Sequence, residues 1–204
     1  MKWAVLVGGT GSNLRALLES GFPVSLVISH RSGVKALAVA QQHNVPERVI
    51  LPKGYAERAQ YDAALASALE AFGIEAIAMA GFLRWLGSDM TRRYRGAIVN
   101  LHPSLLPAYP GLHAIERAFD EGVLWSGVSV HFVDEGHDTG PLIAQMPVAR
   151  LVSDTLEDFR GRIQTAEHQL YPRVIAAIDG GEVQLVGNRV VYEKGEQEWM
   201  HGHF

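Results

Sequence analysis

Four short apolar runs, Lys2–Val7, Val24–Ser29, Arg48–Leu51 and Ala76–Ala80, alternate with three stretches of helical spacing at Leu14–Glu19, Gly33–His43 and about Tyr55–Phe72. Runs this short and this uniformly apolar suit strands buried on both faces, and helices between them are the usual crossovers of a parallel sheet. The crossovers should be right-handed. Gly73 stands where a helix C′ residue is expected.

The later chain changes character. Ser88–Tyr94 reads as a short helix with Ser88 as its N-cap, leading into a fifth strand at Ala97–His102. Leu112–Glu121 reads as a helix of two or three turns. Gly127–Val133 and Pro141–Val148 alternate or nearly alternate, so they are expected to pair antiparallel. A long helix is predicted over about Thr155–Ile178, with Ser153 as N-cap, Asp154, Glu157 and Asp158 at the positive end of its dipole, and a kink at Pro172. Val183–Val186 and Val190–Tyr192 flank Gly187-Asn188 as a small hairpin. The fold class is therefore α/β: a Rossmann-like open, mostly parallel sheet with helices on both faces, later strands partly antiparallel, a long C-terminal helix and a terminal hairpin. One domain over 1–204 is expected, with a phosphate-binding half at 1–96 and a catalytic half at 97–204.

Composition narrows the function classes. The 204 residues carry a net charge of −4 with scattered signs, which leaves no basic footprint for nucleic acid or an anionic membrane. No run approaches the roughly 18 apolar residues of a spanning helix, and Met1–Val7 is too short for a signal h-region, so a cytoplasmic location is expected. With no cysteine there is no thiolate nucleophile, disulfide or Cys-ligated metal. A monomer and a homodimer are equally compatible with the sequence.

Three segments carry candidate chemistry. The turn Gly8-Gly9-Thr10-Gly11-Ser12-Asn13 follows a strand and opens a helix, so its glycines and the helix N-terminus suit a phosphate. It satisfies neither the P-loop nor the G-x-G-x-x-G pattern, and a structural βα turn is the alternative. In Ile98-Val99-Asn100-Leu101-His102, Asn100 and His102 lie two apart and share a strand face. An amide that donates to an oxyanion beside an imidazole suits acyl-type transfer, and capping of the strand end is the alternative. Pro103, Pro107 and Pro110 then force a stiff, irregular loop. The third segment, Asp134–Pro141, holds Asp138, a carboxylate that could favour the imidazolium form of His102 and orient its ring. His113 and His131 read as structural. A zinc site from His102, His113, His131 and Asp138 lacks close ligand spacing, and no metal is expected.

Asn100-Leu101-His102-Pro103-Ser104-Leu105-Leu106-Pro107, with Tyr109-Pro110-Gly111 and Asp138-Thr139-Gly140-Pro141, resembles the signature of the folate-dependent formyltransferases. The resemblance runs from Val5 to Tyr171. Gly11-Ser12-Asn13, and a chain that ends without a further domain, narrow the implied acceptor to glycinamide ribonucleotide.

The resemblance implies transfer of the formyl group of N10-formyltetrahydrofolate, a co-substrate, to that ribonucleotide's amine, a step of purine synthesis. It assigns Asn100, His102 and Asp138 to catalysis, with His102 protonated as it stabilises the oxyanion. Gly9, Thr10, Gly11, Ser12, Asn13 and Arg58 would hold the substrate phosphate, and Glu167 would contact the ribonucleotide. Phe82, Leu83, Arg84, Trp85 and Leu86 would line the folate pocket with Asn100, closed by Glu135, Gly136, His137 and Asp138. The chain departs from the family pattern at Ala108, where many relatives carry Lys, and at Trp85, where a smaller aliphatic is usual. Rivals are a formyltransferase or formyl-folate hydrolase with another acceptor, a binding protein without chemistry, and a metalloenzyme.

Overall fold

Trp3–Val7 forms strand β1 with every residue buried, as a run without a polar residue requires of a strand at the centre of a sheet. The chain is described from a computed structural model over residues 1–193, and it divides into two compact units that meet between Asn100 and Leu101.

In the first unit β1 is followed by helix α1 (Ser12–Glu19), β2 (Val24–Ser29), α2 (Lys35–Gln42) and β3 (Glu47–Val49). A 3-10 turn at Pro52–Gly54 then leads to α3 (Arg58–Ala71), β4 (Ala76–Ala80), α4 (Ser88–Arg93) and the start of β5 (Ile98–His102). The strands lie in the order β3-β2-β1-β4-β5, all parallel. α1 packs on α2 and α3 on α4, so right-handed crossovers put one pair on each face. β1 and β4, both fully buried, are paired in strict register from Trp3 opposite Ala76 to Val7 opposite Ala80.

Two local expectations shift here. The helix expected from about Tyr55 begins only at Arg58, where the Glu57–Gln60 capping box closes its first turn. Gly87, not Ser88, is the N-cap of α4. Glycine is an acceptable cap, and here its N–H donates to Asp62 Oδ2 at 3.0 Å, so the strand-to-helix turn is held from the side chain of α3. Gly73 is left-handed at φ 64°, as a C′ residue should be.

The second unit begins with the end of β5 and continues through α5 (Ala114–Asp120), β6 (Trp125–Phe132), β7 (Leu142–Ala149) and α6 (Leu156–Asp179) to the hairpin β8 (Val183–Val186) and β9 (Arg189–Tyr192). β6 and β7 are antiparallel with a register irregularity at Val130/His131, and β8 pairs antiparallel with β9. α6 packs on β6 and β7, and buries Phe159, Ile163, Ala166, Leu170, Val174 and Ile178 along one face. The N-cap is Thr155, not Ser153. Its hydroxyl accepts from Asp158 N, and Asp158 reaches back to the Thr155 N–H, a reciprocal box that Ser153 lies too early to form. Asp154 pairs instead with Arg162. The helix continues through Pro172 to Asp179.

Candidate active site

The turn after β1 is built by close approach. Gly8 lies so near the ring of His30 that a Cβ there would sit 1.9 Å from its Cε1. Gly11 caps α1 in the left-handed region at φ 79°, with Ala36 Cα only 2.6 Å from where a Cβ would be. Only glycine suits both demands. The Ala36 N–H donates to the Gly9 carbonyl at 3.2 Å, which ties the turn to the start of α2. Gly9 and Thr10 remain exposed, while Ser12 and Asn13 are half-buried in the first turn of α1.

Also in the first unit, Phe82–Leu86 follows β4 with a split orientation. Phe82 and Leu86 are buried, and Phe82 packs edge-on against His30 at 4.8 Å, so both anchor the segment. Leu83, Arg84 and Trp85 are exposed. Arg58 stacks over Trp85 at 5.7 Å and faces Asp62 at 3.6 Å. The contacts of Arg58 thus run to Trp85 and Asp62 rather than to the Gly9–Asn13 turn. Burial raises the Asp62 carboxyl, opposed by Arg58 and the Gly87 N–H. Asn100, half-buried, ends the unit two residues before His102 on β5.

In the second unit the proline loop is held by Ser129 of β6. The Ser129 hydroxyl donates to the Ser104 carbonyl at 2.6 Å and accepts from the Leu106 N–H at 3.0 Å. Gln145 Nε2 reaches both Ser129 Oγ, at 2.8 Å, and the Leu106 carbonyl, at 2.9 Å. His102, itself buried, lies inside this loop with Nε2 at 2.8 Å from the Tyr109 carbonyl. A carbonyl only accepts, so Nε2 carries the hydrogen and Nδ1 is the nitrogen left to gain or lose a proton.

Nδ1 faces Asp138 Oδ2 at 3.4 Å. Asp138 is left-handed at φ 55°, which turns its carboxylate inward from the loop between β6 and β7. The Gly111 N–H donates to the same oxygen at 2.8 Å, His137 Nε2 stands 3.9 Å from it, and His131 Nε2 is 3.7 Å from the other oxygen. Asp134 Oδ1 fixes the loop by accepting from Gly136 N and Thr139 Oγ1, both at 2.9 Å.

Burial would raise Asp138, yet the His131 side chain, the Gly111 N–H and the charges of His102 and His131 prevail and hold its carboxyl well below the usual carboxylate range. Burial lowers His102, against the Tyr109 hydrogen bond and the Asp138 charge, which raise it. Burial prevails, so the free ring is held toward its neutral form. A neutral imidazole beside a firmly ionised carboxylate is arranged to take up a proton at Nδ1 and to be stabilised once it has done so.

The second unit thus brings together His102 and Asp138, with His137 exposed beside them. His131 enters this cluster although it reads as structural from sequence. Its signal lay in Ser129 and His131 standing two apart in a strand that is otherwise mostly apolar. Glu135 and Gly136 are exposed in the same loop, and Glu167 is half-buried on α6. Among the described residues no three His, Cys, Asp or Glu side chains are grouped so as to hold a metal ion, and no helix is long and apolar enough to cross a membrane.

Residues 1–175 match the formyl transferase family. A phosphoribosylglycinamide formyltransferase of Bacillus subtilis is 39% identical over 185 residues, covering 88% of this chain and 95% of its own. A trifunctional purine biosynthetic protein adenosine-3 of Drosophila melanogaster is 45% identical over 186 residues, or 87% of this chain. The chain spans only 14% of that protein's length and 19% of its counterpart from Gallus gallus. The crystal structure of glycinamide ribonucleotide transformylase 1 from Symbiobacterium toebii superimposes with a TM-score of 0.90 at 38% identity, covering 94% of this chain and 93% of that one. On the match over most of its length, the chain belongs to the formyl transferase family.

Proposed function

We propose that this chain transfers the formyl group of N10-formyltetrahydrofolate to the amine of glycinamide ribonucleotide, a one-carbon step of purine biosynthesis, as a cytoplasmic enzyme. The observation that carries the reading is the His102–Asp138 pair, in which Tyr109 fixes the tautomer and Nδ1 faces the carboxylate at 3.4 Å.

Asn100, His102 and Asp138 are the catalytic residues in this reading. The neutral amine attacks the formyl carbon and a nitrogen–carbon bond forms as the carbonyl electron pair moves to oxygen. The Asn100 amide donates to that oxyanion. The amine proton passes to His102 Nδ1, and Asp138 stabilises the imidazolium until the proton is delivered to N10 of the folate as its bond to carbon breaks. Atoms and charge balance without a covalent enzyme intermediate or a metal.

The Gly9–Asn13 turn binds the ribonucleotide phosphate through the exposed backbone of Gly9 and Thr10, with Ser12 and Asn13 in the first turn of α1. Glu167 contacts the ribonucleotide. Leu83, Arg84 and Trp85 present side chains to the folate while Phe82 and Leu86 anchor them. Glu135, Gly136 and His137 close the folate side. The test is to mix the protein with both substrates and follow deformylation of the folate in wild type, Asn100→Ala and His102→Ala. Turnover in wild type with severe loss in both variants is expected, and near wild-type turnover in either overturns the assignment.

A further inference from the structure

Asp62, near the start of α3, is a carboxylate that the proposed chemistry does not use, and it is only 8% exposed. Its Oδ2 accepts from the Gly87 N–H at 3.0 Å and faces Arg58 Nε at 3.6 Å. Its Oδ1 is also buried and has no hydrogen-bond partner among the described residues. Burying a carboxylate with one oxygen unmet costs stability, and a neutral side chain would accept from Gly87 as well. Groups retained at such a cost concentrate at functional sites, so the charge itself needs a use.

Its neighbours supply one. Gly87 follows directly on the segment Phe82–Leu86, whose exposed members are Leu83, Arg84 and Trp85. A Cβ at position 87 would sit 2.3 Å from Asp62 Oδ2, so glycine is what lets the carboxylate reach that amide and be oriented by it. Arg58, one turn before Asp62 on the same face of α3, lays its guanidinium 5.7 Å from the centre of the Trp85 ring. Arg84 stands 6.0 Å over the ring of Tyr61 and so has a support of its own. The contacts therefore run in one chain, from the Gly87 N–H to Asp62, from Asp62 to Arg58, and from Arg58 to the exposed indole.

We propose, resting on the formyl-folate reading above, that Asp62 is a positioning residue that acts through Arg58 to hold Trp85 in the orientation that receives the folate. Arg58 is half-exposed, so its pairing with Asp62 and its stacking on the indole are each weak. Their effect is to select one orientation of Trp85 before the ligand arrives, which lowers the cost of binding and leaves the chemical step alone.

The experiment measures kcat and both KM values for wild type, Asp62→Asn, Trp85→Leu and the double variant. Asn has the shape of Asp and keeps an oxygen for the Gly87 N–H while removing the charge that holds Arg58, so the variant is expected to fold, which urea unfolding checks. Asp62→Asn should raise KM for N10-formyltetrahydrofolate about fivefold at low salt, with kcat and the KM for the ribonucleotide unchanged. In the Trp85→Leu background, where Arg58 has no ring to stack on, the same substitution should change the folate KM by less than about twofold. An unchanged folate KM in Asp62→Asn, equal rises in both KM values, a fall in kcat, or an undiminished effect in Trp85→Leu overturns the proposal. If wild type shows no turnover, the formyl-transfer reading fails separately, and Kd values of N10-formyltetrahydrofolate for the same four proteins decide the positioning role by the same criterion, with absence of binding counting against it.

Discussion

The strand-end surface of the first unit and the loop cluster of the second handle charge in opposite ways. In the first, Arg31, Lys53 and Arg84 have no salt bridge among the described residues, and a glycine turn exposes its backbone. In the second, one carboxylate is ringed by His102, His131 and His137 at 3.4, 3.7 and 3.9 Å and by the Gly111 N–H at 2.8 Å. Charges left without partners are available to a ligand. Charges that satisfy one another fix protonation states instead, and that is what proton transfer needs.

If that contrast holds, the gravest losses come from the polar end of β5 and the ring around Asp138. Asn100→Ala should lower kcat by about 10² to 10³, the usual cost of an oxyanion donor, with an unchanged melting curve. Asp138→Asn should lower kcat by about 10² and also move its pH dependence. His102 must be neutral to accept the proton, and burial holds it below the ordinary 6.5, so kcat should persist as pH falls through 6.5 and decline below it. Asp138 raises His102, so the Asn variant should move that acid limb to lower pH. A limb that moves upward would break the comparison. Asp138 should contribute stability above its ordinary 3.8 that is lost as pH falls toward its depressed native value, and the Asn variant should lack that acid dependence in urea unfolding.

The binding surface should respond through KM and stability instead. Gly11→Ala combines left-handed strain with a 2.6 Å approach to Ala36 Cα, and should cost about 3 kcal/mol in urea unfolding while raising KM for the ribonucleotide. Ser129→Ala strands the Leu106 N–H and should cost about 2 kcal/mol. The smallest effect separates both sites from the scaffold: Thr155→Ala removes the cap of α6, for about 1 kcal/mol, and should leave kcat and KM alone.

The strands were the most legible part of the chain. Val24–Ser29 and Ala76–Ala80 are apolar runs whose ends in sequence are their ends in space, because burial on both faces leaves a strand no freedom to slip. Caps were less so. Gly87 and Thr155 displaced Ser88 and Ser153 because a cap is chosen by which side chain completes a hydrogen-bond circuit, as Asp62 and Asp158 do. The approach of Asp138 to His102 was legible from the motif and the loop that carries it. His131 was not, because its partner lies across a loop whose turn depends on a left-handed aspartate. The downward pull on the His102 pKa has no signal in the sequence, since burial is its largest cause.

The most direct test of the account is to follow N10-formyltetrahydrofolate with and without glycinamide ribonucleotide, and to measure both formylated ribonucleotide and free formate. Consumption that requires the ribonucleotide and yields one formylated product per folate is predicted. Consumption without it, with release of formate, would make the chain a hydrolase, and no consumption in either case would contradict formyl transfer by this site.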